Sequence, residues 1–285
     1  MPSRHIVLVA GMHRSGTSAL TRAINLAGVP LPRNLKPASP DVNAEGFWEP
    51  LDIKAFHDEI LKAMNSSWMD PREVPLEWFD VPGFAELRSW LRDWIAAEIA
   101  GKDMLVIKDP RVCRLLPIWQ RTCAESDIAL HTAIIVRHPV EVARSLAKRD
   151  NFPELQSYVL WLRHFLDPER FTRGGSRTFL TYDQLMTDRL ATIRRVLGDL
   201  NLPGAPADDA VGAELDAAVK DALRHHVATD ADLAEAARQI PPLADVWAWV
   251  QRAANGENPD PRPLDAVTAL MRQLERGPAS NNPIA

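Results

Sequence analysis

The stretch Ile6-Val7-Leu8-Val9-Ala10-Gly11-Met12-His13-Arg14-Ser15-Gly16-Thr17-Ser18-Ala19-Leu20 decides how this 285-residue chain is read. Its apolar run Ile6–Ala10 suits a strand buried on both faces. A Gly/Ser/Thr turn follows, and then Leu20, Ile24 and Ala27 recur at helical spacing up to Gly28. Such a turn aims consecutive backbone N–H groups at one point, at the positive end of the helix dipole. The stretch is therefore predicted to cradle an anion. Gly11 and Gly16 have the separation of the nucleotide-triphosphate loop, Gly-x4-Gly-Lys-Ser/Thr. Thr17 stands where its lysine would be, and the cation is Arg14, two residues before the second glycine. An enzyme of Mg-ATP wants that lysine on the β/γ-phosphates, so the change points away from a kinase or NTPase.

Similar short runs recur at Met104–Ile107, Ala133–Val136 (within a strand read from His131) and Thr178–Leu180, with helical patterns between them. One helix is predicted from about Asp52, with Ile53, Phe56, Ile60 and Met64 on one face, and another over Phe84–Ile99. The alternation predicts an α/β fold: a central, mostly parallel sheet with flanking helices, a three-layer sandwich like that of P-loop NTPases. Val29–Pro50, with five prolines, reads as a loop. No strand is expected after about residue 180. A connector at Asn201–Gly212 leads to Ala-rich helices, with a break at Asn255–Pro263 and a frayed tail after Gly277. The expectation is a single domain over 1–285, with a sheet core over about 1–200 and a helical extension over 201–285.

Lys and Arg number 33 against 38 Asp and Glu, a formal charge of 33 − 38 = −5. That balance argues against bulk-charge binding to nucleic acid or anionic membrane, though not against a local basic site for one anion. Cys113 and Cys123 alone cannot make a disulfide scaffold or a four-ligand zinc site. No segment reaches the roughly 18 to 20 apolar residues of a membrane span, and Ile6–Ala10 is too short for a signal core. The expectation is a soluble, cytoplasmic protein with no membrane or nucleic-acid partner and no metal. Oligomeric state is left open.

With Arg14-Ser15-Gly16-Thr17-Ser18 the loop resembles that of the sulfotransferases that use 3′-phosphoadenosine 5′-phosphosulfate. The resemblance implies that Ser15, Gly16, Thr17 and Ser18 hold the 5′-phosphosulfate of that donor, and that Arg14 sits on the bridging oxygen and the moving sulfuryl group. A sulfuryl group carries less charge than a phosphoryl group, so fixed donors and a guanidinium can serve it. A second block follows the strand ending at Val136: Arg137-His138-Pro139, with Ser145 eight residues after Arg137. In the family this is the 3′-phosphate motif, and Pro139 suits a helix start. Thr178-Phe-Leu-Thr-Tyr182-Asp183 resembles the strand whose Tyr lies near adenine; Tyr182 equally suits a core residue with a paired hydroxyl. The resemblance spans roughly residues 5 to 185. Two departures from cytosolic members are the lack of a Trp just after the loop and of a C-terminal Arg-Lys-Gly; Arg224-His225-His226 is an electrostatic substitute or an exposed helix end.

Transfer to a hydroxyl needs a group to take its proton, typically worth ~10²–10⁴ in rate. Cytosolic members use a His shortly after a strand-end Lys. Here Lys108-Asp109-Pro110-Arg111 stands at that place, leaving Asp109 as a base, as the cap of a helix starting at Pro110, or as the partner of Arg111. Carbohydrate and some bacterial members use a Glu after the first helix. Glu49 is the first candidate, flanked by Phe47 and Trp48 that would desolvate it, and Glu45 is the second. His57 reads as a core histidine. Trp48, Trp68 and Trp78 are candidates to stack on the acceptor, with packing the safer reading for any single one, while Trp90 and Trp94 read as helix packing. The acceptor class is a small molecule or carbohydrate bearing a hydroxyl. Two alternatives stand beside this reading: a small-molecule kinase using Mg-ATP, and a non-catalytic nucleotide-binding protein.

Overall fold

A computed structural model describes residues 4–39, 46–202, 209–219 and 227–276. Glu45, the connector residues Pro203, Gly204 and Pro206, Arg224-His225-His226 and the tail after Gly277 lie outside the described residues. Strands β1 (Arg4–Ala10), β2 (Met104–Lys108), β3 (Ile128–Val136) and β4 (Ser176–Thr181) form one parallel sheet in the order β2-β1-β3-β4. All of the predicted strands are present. β3 starts earlier than expected because polar His131 and Thr132 interrupt its apolar run; its first half nonetheless pairs in register with β1, Arg4 beside Ile128.

Alternate residues of each strand feed two separate cores, as strict side-chain alternation requires. Ile6 and Leu8 of β1, Leu105 and Ile107 of β2, and Ile134 of β3 enter one core. Val7, Val9, Val106, Ala133 and Ile135 enter the other. The second core is closed by α1 (Thr17–Leu26), α7 (Tyr182–Thr187), α8 (Arg189–Asp199) and α9 (Asp209–Ala218). The first, larger core is closed by α2 (Leu51–Ala63), α3 (Gly83–Ile99), α4 (Val112–Glu125), α5 (Pro139–Asp150), α6 (Glu154–Phe171), α10 (Asp230–Gln239), α11 (Pro242–Ala254) and α12 (Arg262–Arg276). The result is the three-layer α/β sandwich.

No strand follows Thr181 among the described residues. The later helices are tied to the sheet edge: Trp249 of α11 meets Phe179 of β4 edge-on at 5.5 Å, and Gln184 donates to the Ala254 carbonyl at 3.0 Å. Arg144 of α5 pairs with Asp232 of α10. No helix among the described residues is long and apolar enough to cross a membrane.

Charge is buried at the α4–α6 contact. Arg114 and Arg163 are fully buried and share Asp167, at 3.3 and 3.0 Å. Their remaining donors hold the loop after α2: Arg114 binds the carbonyls of Asp70 (2.6 Å) and Arg72, and Arg163 that of Pro71 (2.7 Å). Removing one partner from such a cluster strands uncompensated charge. Asp167→Ala is expected to cost about 3–5 kcal/mol in urea unfolding; a loss under about 1 kcal/mol contradicts this role.

Glu73, at the end of that loop, pairs with Arg170 of α6 and Arg272 of α12. Burial alone raises its carboxyl, but the Arg272 hydrogen bond and Arg170 outweigh that and hold it at about 2. A depressed folded value gives stability that is complete above the unfolded value near ~4.3 and is lost as pH falls. Thermal stability should therefore drop between about pH 4.3 and about 2. Glu73→Gln should flatten that drop in a melting series across the interval.

Candidate active site

Strand register brings the chemistry to one edge. Lys108 sits beside Val9, so β2 and β1 end together, and Val136 sits beside Thr181. The loop after β1, Lys108 and Asp109 after β2, Arg137 after β3 and Tyr182 after β4 thus share the C-terminal edge of the sheet, where open α/β folds bind ligands.

The loop is shaped by a lack of room. A Cβ on Gly11 would lie 2.5 Å from the Ile135 carbonyl, and one on Gly16 would lie 2.2 Å from a Tyr182 ring carbon. Gly16 also has φ +87°, in the left-handed region. Ser15 N–H donates to Met12 C=O at 3.1 Å, which makes His13 and Arg14 the centre of a turn, and Arg14 itself has φ +70°. Gly16 is the N-cap of α1 without a side-chain cap, and no acidic residue occupies the first turn. The helix dipole is therefore uncompensated there. The Ser15 hydroxyl is buried with no hydrogen-bond partner among the described residues. A bare buried hydroxyl beside an uncapped helix N-terminus fits an anion.

Both sequence-predicted donor blocks meet at this loop. Arg14 Nε donates to Ser145 Oγ at 2.8 Å, and Arg137 Nη1 donates to the Arg14 carbonyl at 3.4 Å. Arg137 is buried, held by Glu141 at 2.7 Å, and lies over the Tyr182 ring at 4.6 Å. Tyr182 is thus a wall shared by Gly16 and Arg137. Burial, then the Arg149 and Arg137 guanidiniums, pull Arg14 below its ordinary value. Thr17 and Ser18 occupy the first turn of α1.

The two carboxylates proposed as bases are found in ion pairs. Glu49 is buried with its Oε1 2.8 Å from Lys108 Nζ, and that ammonium also donates to Ser18 Oγ at 3.1 Å. Burial pulls Lys108 below its ordinary value, with Glu49 acting against it. Of the aromatics flanking Glu49, Trp48 has Arg22 over its ring and Phe47 has Lys36. Asp109 does not cap a helix at Pro110, because α4 begins at Val112. Its Oδ1 instead accepts from the Arg111 N–H at 2.8 Å and from the Arg111 guanidinium at 3.1 Å, and its Oδ2 faces His57 Nδ1 at 3.6 Å. Burial pushes Asp109 up, but His57 and Arg111 outweigh it and hold the carboxyl well below the usual range. His57 is the core histidine expected: its Nε2 accepts from the Trp119 indole at 2.9 Å, which leaves the ring proton on Nδ1.

Of the tryptophans, Trp68 lies between His13 (ring centroids 4.2 Å) and Phe152 (5.7 Å). Trp90 stacks on Phe56, Trp94 meets Trp119 edge-on, and Trp78 is exposed. His13 was not singled out by sequence reading, although it immediately precedes Arg14; its place in the turn was the available signal. The second group that sequence reading did not reach is Cys113, whose sulfur accepts the Gly11 N–H at 3.1 Å.

No family model and no curated protein matches the chain. Among the solved structures similar to it are two sulfotransferase domains. One is the sulfotransferase domain of the olefin synthase of Synechococcus PCC 7002, 17% identical over 87% of this chain and 95% of that one, with a TM-score of 0.48. The other is the sulfotransferase domain of the curacin biosynthetic pathway, 16% identical over 94% and 97%, with a TM-score of 0.47.

The Gly16–Tyr182 contact gives a direct test of the loop. Gly16→Ala should cost about 2–4 kcal/mol, from left-handed backbone and overpacking together. Tyr182→Ala alone should cost about 3–5 kcal/mol. In denaturant unfolding the double variant should fall short of the sum by about 1 kcal/mol or more; simple additivity contradicts the wedge.

Proposed function

We propose that the chain is a sulfotransferase that moves a sulfuryl group from 3′-phosphoadenosine 5′-phosphosulfate to the hydroxyl of a small-molecule or carbohydrate acceptor. The observation that carries this reading is the meeting of the two donor blocks, Arg14 on Ser145 and Arg137 on the Arg14 carbonyl. One ligand with two anionic ends suits adjacent sites built this way.

In this reading the amides of the loop, with the hydroxyls of Ser15, Thr17 and Ser18, hold the 5′ end of the donor, while Arg137 and Ser145 hold its 3′-phosphate. Tyr182 keeps Gly16 and Arg137 in place and borders the adenine side. In the transfer, the acceptor oxygen bonds to sulfur as the bond from sulfur to the 5′-phosphate oxygen breaks. Negative charge builds on that leaving oxygen, and Arg14 and Lys108 are the cations at the loop that stabilise it. Glu49 serves by holding Lys108 against Ser18, and Asp109 by fixing Arg111 and His57. The carboxylates expected as bases thereby become positioning groups. A Mg-ATP kinase would need a strand-end carboxylate for its metal, and Asp109 commits its Oδ1 to the Arg111 N–H and guanidinium, while its Oδ2 faces His57 beyond hydrogen-bond distance.

Thermal shift separates the two donors. Adenosine 3′,5′-bisphosphate should raise the melting temperature and Mg-ATP should not; larger stabilisation by Mg-ATP overturns the proposal. Arg14→Ala and Lys108→Ala should each lower turnover of labelled donor by about 10²-fold or more, the scale of losing one charge-stabilising donor. Near-normal turnover removes the role of the residue tested.

A further inference from the structure

We propose that His13 is the base that takes the proton from the acceptor hydroxyl, an inference that rests on the sulfotransferase reading above. His13 Nε2 is buried and has no hydrogen-bond partner among the described residues. A buried polar atom left bare in a well-packed site calls for a ligand group to complete it. The residue is the one before Arg14, at the centre of the turn closed by Met12 and Ser15. The Arg149 guanidinium acts on both His13 and Arg14, so the imidazole and the loop cation share one neighbour.

The surroundings keep the imidazole in its basic form. Burial acts first, and Arg111 from the β2–α4 turn, Arg149 from α5 and His164 from α6 act with it; Asp109 alone opposes. All hold His13 well below its ordinary value, so the ring is neutral across the physiological range. Trp68 covers it at 4.2 Å and is itself fixed by Phe152 and by the carbonyl clamps of Arg114 and Arg163 on the loop it stands in. A second bare atom is close in kind: His164 donates from Nδ1 to the Leu160 carbonyl at 2.9 Å, which leaves Nε2 a buried lone pair without a partner. By contrast, the carboxylates Glu49 and Asp109 are engaged with Lys108 and Arg111.

The step balances without a further reactant. With the ring proton on Nδ1, the Nε2 lone pair accepts the hydroxyl proton as the acceptor oxygen bonds to sulfur. The sulfur–oxygen bond to the 5′-phosphate breaks, and adenosine 3′,5′-bisphosphate leaves with that electron pair. His13 is left as an imidazolium, which returns its proton to solvent after release.

Two readouts test this. Ring ¹⁵N NMR of the wild type with adenosine 3′,5′-bisphosphate should show His13 Nε2 unprotonated and Nδ1 protonated at pH 7, persisting to below pH 6; a protonated Nε2 at pH 7 overturns the proposal. The second compares wild type with H13N and H13Q, using labelled donor and three acceptors: water, phenol and 4-nitrophenol. Both variants should bind the bisphosphate within about twofold of wild type by calorimetry. Transfer to phenol and sulfate release to water should fall by about 10²-fold or more, while transfer to the readily ionised 4-nitrophenol should fall far less. Equal losses on both phenols, or none, overturn the role of His13 and leave the donor reading standing. A wild type that does not bind the bisphosphate, or binds it without turnover on any of the three acceptors, removes the sulfotransferase reading and this proposal together.

Discussion

Two ring carbons of Tyr182 occupy the space where a side chain at residue 16 would begin, and the Ile135 carbonyl does the same at residue 11. That exclusion is the constraint on which the site depends. A chain leaving a buried strand with no room at either glycine must turn tightly, and the helix that follows opens without a side-chain cap or an acidic residue in its first turn. The wedge comes from β4 and α7, so the loop after β1 is shaped by a segment more than 160 residues away, through the parallel order β2-β1-β3-β4. Arg137 then lies on the same Tyr182 ring, which places the second cation by the same contact.

Around this loop the cations are held by acids rather than left to solvent. Lys108 has Glu49, Arg111 has Asp109 and Asp58, and Arg137 has Glu141. Desolvating these charges is costly, and pairing offsets most of that cost without making the pairs strong sources of stability. Their value here is geometric. An ammonium pinned between Glu49 and Ser18 is already where developing charge needs it, and needs no rearrangement at the moment of reaction. The formal charge of −5 over the whole chain hides this local arrangement, because the compensating carboxylates sit behind the cations.

The parts of this site that were legible in the sequence are those encoded by contiguous residues. Ile6–Ala10 declared a strand buried on both faces, Gly11 to Ser18 a cradle, and Arg137 with Ser145 a strand-end pair at fixed spacing. Each lies within a dozen residues, so local pattern carries it. Side-chain partnerships over long separations carry no such pattern. Nothing in the neighbourhood of Glu49 says that its carboxylate meets Lys108, 59 residues on, or that Phe47 and Trp48 turn to Lys36 and Arg22. Asp109 was legible in part: of the two structural roles its sequence offered, the pairing with Arg111 forms, while the helix cap does not because α4 begins at Val112. Trp68, for which packing was the safer reading, packs between His13 and Phe152.

The central claim is that one doubly anionic nucleotide spans the loop after β1 and the start of α5. A crystal structure of the protein with adenosine 3′,5′-bisphosphate tests it most directly. The 5′-phosphate is predicted at the amides of Gly16 to Ser18 and the Ser15 hydroxyl, with the 3′-phosphate at Arg137 and Ser145. A nucleotide bound away from these residues, or bound through only one of its phosphates, would contradict the account.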